Sequence, residues 1–378
     1  MADRQMNNSR PARPKARTGG WGRILLATAA IIGLGWAGIG LDPASLNLDG
    51  WRWIVEADSP TPRLVRVFAH DGEVGAIAWS PDGSKIAAGG PLHSAVMIWE
   101  ARTGALLRNL NREFGGVSAV AWSRDGSTVA AGRKFTEAAR GHVAVHIWNS
   151  ETGRVLQSLL GPSPLGRGDN DVFTGALSFS PDGKLIAAGH RGSVSIHDVT
   201  SGRLATVCRG HIATGKAVAF SPDGHQIATS GEYERSPVQL FDVRSGAQVR
   251  SMSGEPESPF GVAFRPDGKE IATVAFGRPN VTVWNVREGR PARALTGHSR
   301  PVYSVSYSPA GRLMASAAHA GGVIVWDSET GSRLLTLPNP EELTDVIAFS
   351  PDGRYLAVPL GRQVRVWDLS AVRRSTQK

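Results

Sequence analysis

Few of the 378 residues carry groups that do chemistry, and most of those recur. An aromatic residue followed by Ser-Pro-Asp-Gly, or a near variant, stands seven times along the chain, the copies ending at Gly83, Gly126, Gly183, Gly224, Gly268, Gly311 and Gly353. Repetition makes the Asp look catalytic. Pro at the second position and Gly where φ must be positive are instead the requirements of a tight turn, and Asp serves such a turn by bonding its own backbone. His142 and His146 lie four apart on an expected strand and face one way. No Cys, acid or third His stands at metal-ligand spacing from them, so packing accounts for the pair. Asp169 and Asp171 fall far short of a calcium loop. Cys208 is the single cysteine, with no disulfide partner in the chain, and reads as a small packing residue rather than a reactive thiol. With no nucleophile elbow and no phosphate-binding Gly loop, the sequence predicts no catalytic residue, no metal and no cofactor.

What the repeats do predict is a frame. Each turn is followed by a second mark, an aromatic or His after an aliphatic residue and usually before an acid or Asn: Trp99, Trp148, His197, Phe241, Trp284, Trp326 and Trp367. A period of about forty residues means a stacked array of one supersecondary unit. Each unit reads as four strands. An apolar run such as 74–80 or 302–308 suits a strand buried on both sides, and a small-residue strand such as 184–189 follows the turn. The third strand ends at the aromatic mark. A second turn carries Gly in six units (Gly104, Gly153, Gly202, Gly246, Gly289, Gly331), before a more polar fourth strand such as 203–208. The seventh unit stops after its third strand, while residues 63–68 have the pattern of a fourth strand with no unit of their own. The amino-terminal strand is therefore expected to complete the last blade and close the ring, removing a raw edge.

These residues make the chain resemble the WD40-repeat β-propeller family over residues 63–368. The family's Trp-Asp is literal at Trp326-Asp327 and Trp367-Asp368; its Gly-His stands at Gly210-His211 and Gly297-His298, with a near copy at Ala69-His70. The family often buries a bonded set of His, Ser or Thr, Asp and Trp in each blade. In the sixth blade the resemblance points to His298, Ser316 and Trp326, with Ala320 where the Asp belongs, and no blade carries a complete set. The expected fold is all-β, a seven-bladed β-propeller of four-stranded blades closed by an amino-terminal strand, preceded by a single membrane-spanning helix.

That helix is a reading of residues 24–41, eighteen residues without charge, behind a basic leader. At about 1.5 Å per residue they span roughly 27 Å, enough for the hydrocarbon core. Three readings compete: a retained signal anchor, favoured by the 23-residue leader and the lack of a sharp cleavage site; a cleaved signal peptide, with Ala37 near a cut; and a buried helix, for which a closed propeller has no place. The boundaries are 1–23 for a basic tail, 24–41 for the anchor, 42–62 for a linker, 63–369 for the propeller and 370–378 for a basic tail. The leader holds six Lys/Arg and residues 42–62 only Arg52, so the leader is expected in the cytoplasm and the propeller across the membrane. After signal cleavage it would be secreted or periplasmic. Of the net charge of +9, the leader holds +5 and the carboxy-terminal tail +3, leaving +1 for residues 24–372. A neutral propeller gives nucleic-acid binding little support.

From aromatic mark to the next turn Gly the interval is 27 residues in five of six cases and 35 in the other; from turn Gly to mark it is 14–17, except 22 in the second unit. Both excesses fall in loops of neighbouring units, 132–142 and 160–171, that open on one face of a propeller. Together they predict a ledge for a protein partner, with Arg133, Lys134, Phe135, Arg140, Arg167, Asp169 and Asp171 as contacts; tolerated drift of surface loops is the competing reading. The other loops of that face add His190, Arg191, Tyr233, Arg235, Phe276, Arg278, Arg300 and His319. Two functions remain: a non-catalytic, membrane-anchored scaffold binding a partner protein on this face, or a propeller that binds or transforms a small molecule in its channel.

Overall fold

The computed structural model describes residues 62–91, 95–110, 116–133, 143–160, 174–231, 238–252, 259–337 and 346–375, with the side chains of 191, 211–216, 231 and 373–375 excepted. Within them each Ser-Pro-Asp-Gly is a tight turn whose bonds are internal. Ser80 Oγ donates to Asp82 Oδ1 (2.6 Å) and accepts from the Lys85 N–H (2.8 Å), the Ser84 N–H reaches Asp82 Oδ1 (3.0 Å), and Gly83 has φ of +72°. Burial works against the Asp82 carboxylate, but these donors and the Ser84 hydroxyl bring it down to about 2. The Ser123, Ser180 and Ser221 hydroxyls likewise lower Asp125, Asp182 and Asp223. The acid or Asn after each aromatic mark is a turn residue too. Asp198, Asp242 and Asp327 accept the N–H three residues on at 2.7–2.8 Å. Local turn chemistry therefore fixes both hairpins of a unit before any packing.

The strands are β1 (Arg63–Ala69); β2 (Ala76–Trp79), β3 (Lys85–Gly89), β4 (Val96–Glu100) and β5 (Leu106–Leu110); then β6 (Val117–Trp122), β7 (Thr128–Arg133), β8 (Val143–Asn149) and β9 (Val155–Leu160). They continue as β10 (Ala176–Phe179), β11 (Leu185–Asp198), β12 (Leu204–Phe220), β13 (Gln226–Gly231), β14 (Gln239–Asp242) and β15 (Gln248–Ser251). Next come β16 (Pro259–Phe264), β17 (Glu270–Ala275), β18 (Asn280–Asn285) and β19 (Arg290–Thr296), with β20 (Val302–Tyr307), β21 (Leu313–Ala318), β22 (Gly322–Asp327) and β23 (Arg333–Leu337) behind them. The last are β24 (Ala348–Phe349), β25 (Tyr355–Leu360) and β26 (Gln363–Asp368), followed by the short helix α1 (Ser370–Ser375). All pairs are antiparallel. Blades one, two, five and six are the sheets β2–β5, β6–β9, β16–β19 and β20–β23. Blades three and four share one six-stranded sheet, because β12 supplies the outer strand of the third and the inner strand of the fourth.

The ring closes as the truncated seventh unit requires: β1 pairs with β26, with Leu64 opposite Trp367 and Phe68 opposite Val364. The predicted burial needs one correction. Inner strands are not buried on both sides; β10 is half-buried throughout and β2 along its second half, since one face lines the channel. The dry strands are the second of each blade, as in β21, buried at every position. Fourth strands are the most exposed, β5 at four of five residues. The core is not one mass but wedges between adjacent blades. Thus Phe349, Leu356 and Val358 of blade seven pack on Ala315, Val323 and Val325 of blade six. Polar ties reinforce the wedges. Trp122 Nε1 of blade two donates to the Ala78 carbonyl of blade one (3.2 Å), and Arg293 grips Glu270 two-pronged (2.6 and 2.8 Å) while reaching the Ser328 carbonyl of blade six. The carboxy-terminal basic stretch is not all tail, since α1 is capped by Asp368 and buries Val372 with Leu369.

In the sixth blade the expected polar set is present and one member short. His298 Nε2 and Ser316 Oγ share a bond of 2.7 Å, and Trp326 Nε1 donates to the same oxygen at 2.8 Å. His298 Nδ1 is buried without a partner, beside a blade where Ala320 holds φ of +48° in place of an acid. Burial pushes the His298 imidazole down from 6.5 to about 4. As pH falls below about 6.5 the unfolded chain takes up that proton first, so the stability this His contributes is present above 6.5 and lost towards 4. Burial lowers His146 and His197 as well, in the same sense. Thermal midpoints measured from pH 7.5 to 4.5 are expected to fall, and to fall less in His298→Gln, which does not titrate. Equal slopes would contradict the assignment.

Candidate functional site

The residue five before each turn is Gly75, Ser118, Gly175, Lys216, Phe260, Tyr303 and Asp345 in the seven units, and those of them that are described border the channel. The Lys216 side chain and Asp345 lie outside the described residues. The others make an uneven ring. Blades one to three offer Gly, Ser and Gly; blades five and six offer two aromatic rings. The space vacated on one side and walled on the other is a cavity of about 320 Å³. Gly75, Ser118, Gly175, Phe260 and Tyr303 all border it, and among the described residues its lining contains no His, Asp, Glu, Lys or Arg.

The aromatic wall is built by close loop contacts. Phe260 meets Tyr303 edge-on (centroids 5.3 Å, planes 84° apart), and Tyr303 meets His319 the same way (6.1 Å, 83°). The Val302 N–H donates to the Arg278 carbonyl (2.9 Å), tying the loop after β17 to the strand of the next blade. The His319 N–H donates to the Pro301 carbonyl (3.0 Å). Gly321 passes against Arg300 so closely that a Cβ there would sit 3.2 Å from the Arg300 Cβ. His319 Nδ1 is buried with no partner. Arg278 and Arg300 are exposed, and Phe276 is 60% exposed, the largest value among the exposed large hydrophobics.

Four residues singled out from sequence, Phe276, Arg278, Arg300 and His319, thus belong to one neighbourhood on blades five and six. His190 differs from its expectation as a rim residue: it is 6% exposed, its Nε2 bonded to Ser195 Oγ at 2.7 Å, because β11 runs straight through the short loop. Arg191 pairs with Thr214 in that ladder. Arg133 is half-buried at the end of β7, its carbonyl accepting from the Thr174 N–H (3.0 Å). Lys134, Phe135, Arg140, Arg167, Asp169, Asp171, Tyr233 and Arg235 lie outside the described residues, as does the segment 24–41. Among the described residues no helix is long and apolar enough to cross a membrane, and no three His, Cys, Asp or Glu group as a metal site would need. Cys208 is fully buried in β12, its thiol pushed up to about 11 by burial and then by Asp242. His146 stacks on Trp148 (5.4 Å) and bonds Ser158. Phe260 and Tyr303 were missed as site residues. Their signal was positional, an aromatic at the column where neighbouring units hold Gly or Ser.

The family "WD domain, G-beta repeat" matches residues 62–100 and 289–327, the closing strand with three strands of the first blade, and the outer strand of the fifth blade with three strands of the sixth. Among curated proteins, the chain is similar to Autophagy-related protein 16 of Arabidopsis thaliana, 24% identical over 220 residues, 49% of this chain and 42% of that protein. It is similar as well to Protein HIR1 of Cryptococcus neoformans var. neoformans, 29% identical over 143 residues, 38% of this chain and 14% of that protein. The matched stretches therefore span less than half the length of these relatives. Repeat spacing and strand pairing make a seven-bladed β-propeller, and the matched stretches show WD40 repeats within it.

Proposed function

We propose that this propeller is a non-catalytic scaffold that binds a protein partner on the face where the long loops open, and that residues 24–41 hold it at a membrane. The observation that carries the reading is the gathering of the exposed Phe276, Arg278 and Arg300 with the half-buried His319 beside Tyr303 on a rigid frame. Exposed aromatics with Arg are the side chains most often found as anchors of protein interfaces. The repeat spacing assigns the extra chain of 132–142 and 160–171 to loops that open on the same side of the repeat. Channel chemistry is favoured less, since general acid–base or nucleophilic catalysis needs titratable groups in reach, and Tyr303 is the one such side chain in the described lining. Nucleic acid is not the expected partner of a propeller with a net charge near zero.

Trimming 134–140 and 161–170 to the length of neighbouring loops is expected to change stability by no more than about 0.5 kcal/mol, as surface loops carry little core. The same trimming should abolish capture of a specific partner from gently solubilised membranes. Unchanged capture, with the same protein identified at full yield, rules the ledge out. The reversal Arg133→Glu with Lys134→Glu should weaken capture most at low salt. The charge asymmetry across 24–41 supports a propeller outside the cytoplasm. A carboxy-terminal reporter active only in the cytosol should therefore stay silent. Full signal would reverse the orientation, and an amino terminus found near residue 38–42 would make the segment a cleaved signal.

A further inference from the structure

We propose that one half of the propeller's rim, on the side of the Ser-Pro-Asp-Gly turns, rests on the surface of a lipid bilayer, an inference that rests on residues 24–41 holding the chain at a membrane. Its basis is one column of residues. In every blade the outer strand carries, near its start, a residue paired with the aromatic mark of the third strand. That residue is Leu64, Leu106, Val155 and Leu204 in blades seven, one, two and three, but Gln248, Pro291 and Arg333 in blades four, five and six. The four apolar members are 39–51% exposed, and the next residues in blades one and two, Leu107 and Leu156, are exposed as well. Large apolar groups bared on four consecutive units mark a contact surface. Antiparallel pairing puts both turns of a unit on one side, so the column lies along the turn side of the rim.

Side chains two residues beyond the column tie this arc together across blades. Arg66 donates to the Arg102 and Thr103 carbonyls, Arg108 Nε to the Glu151 carbonyl (2.8 Å) and Gln157 Nε2 to the Thr200 carbonyl (2.8 Å). The chain that precedes β1 indicates what covers the arc. Residues 42–62 lead from the apolar segment into Arg63 and Leu64, so the tether joins the propeller at one end of the arc. A bilayer holding 24–41 is then met by this rim at high effective concentration, where contacts too weak to recruit a protein alone suffice. The neighbouring charges agree. Exposed Arg63, Arg154 and Arg203 directly precede Leu64, Val155 and Leu204. At a membrane interface the apolar group enters the acyl boundary while the guanidinium meets phosphate. The acids of the same turns have partners of their own: Glu100 the Thr103 hydroxyl, Glu151 Lys85, Asp198 the Ser201 N–H and Asp368 Arg354.

The full chain is reconstituted in vesicles of phosphatidylcholine with phosphatidylglycerol, carrying an environment-sensitive dye at one introduced cysteine. The sites are Leu106→Cys, Val155→Cys, Leu204→Cys, Pro291→Cys, Arg333→Cys and Phe276→Cys, each with the buried Cys208 changed to Ala. All six positions are exposed, and thermal midpoints show that each labelled chain is folded. Spin-labelled lipid is expected to quench the dye at 106 and 155, mid-arc, at least about threefold more than at 291, 333 and 276, with 204 between, since an interfacial contact reaches only about 5–10 Å into the bilayer. Adding Leu106→Glu with Val155→Glu should cut quenching at 204 by at least about half, as carboxylates resist leaving water. Equal quenching at all sites, stronger quenching at 291 and 333, or a 204 label indifferent to the two glutamates overturns the docked rim while the anchor stands. A blue shift at 106 and 155 that grows with protein density and shows no lipid quenching assigns the arc to a second copy and overturns the proposal too. A chain that does not float with the vesicles takes the anchor and the docked rim down together.

Discussion

A chain begun at residue 74 is expected to lose cooperative unfolding and to aggregate, whereas one begun at residue 58 should unfold as a soluble monomer. The difference between them is β1, which pairs with β26 from Arg63 opposite Asp368 to Ala69 opposite Gln363. Without it β26 becomes an open edge, its backbone donors and acceptors unpaired and ready to template another chain. The loss also reaches the core. Phe68 is 2% exposed, its ring 5.7 Å from that of Trp99, in the wedge that joins blade seven to blade one through Val364, Val366 and Ile86. A single Phe68→Ala should cost about 3–5 kcal/mol, cavity included. That is a large share of the roughly 5–15 kcal/mol that holds a typical domain folded. Guanidinium denaturation of the three proteins reads both effects, and equal midpoints for the chains begun at 58 and 74 would refute closure by β1.

The second large effect is expected in the sixth blade, where one hydroxyl bonds two buried ring nitrogens, accepting from the Trp326 N–H and pairing with His298 Nε2. Replacing Ser316 by Val leaves the His298 Nε2 and the Trp326 Nε1 without partners in a site that excludes water. Each stranded group costs about 1–3 kcal/mol, so the variant should lose about 2–6 kcal/mol with little change in packed volume. The opposite change is available two residues past Ala318, the last paired residue of β21. Ala320 is the one non-glycine with positive φ among the described residues, and Asp tolerates that region better while bringing an acceptor for the orphaned Nδ1. Ala320→Asp should therefore gain about 1 kcal/mol. The gain should vanish in a His298→Phe background, as a double-mutant cycle would record. A gain that persists there would assign it to the backbone alone.

The fold was legible because turn chemistry repeats. Ser, Pro, Asp and Gly at fixed offsets dictate a hairpin whatever surrounds them, and the lone strand at 63–68 had one vacancy to fill. The residue after each aromatic mark was legible as a pattern but not as a cause; its role in the second turn needed the bonds of Asp198, Asp242 and Asp327. The site was harder to read. Phe260 and Tyr303 sit in strands whose neighbours are all apolar, and only the ring geometry separates a channel-facing aromatic from a core one. His190 looked like a loop residue because length alone does not show that β11 continues through a short connection and buries it against Ser195. Local sequence reports turns directly; which side of a strand meets an opening is set by how seven units close.

The binding face is tested most directly by photo-crosslinking in intact cells. A benzophenone amino acid is placed at Phe276, which is 60% exposed beside Arg278, and separately at Glu288, in the turn between β18 and β19 on the opposite face. The account predicts a discrete adduct with a partner protein from position 276 and none from 288. An adduct from 288 with none from 276 would contradict it.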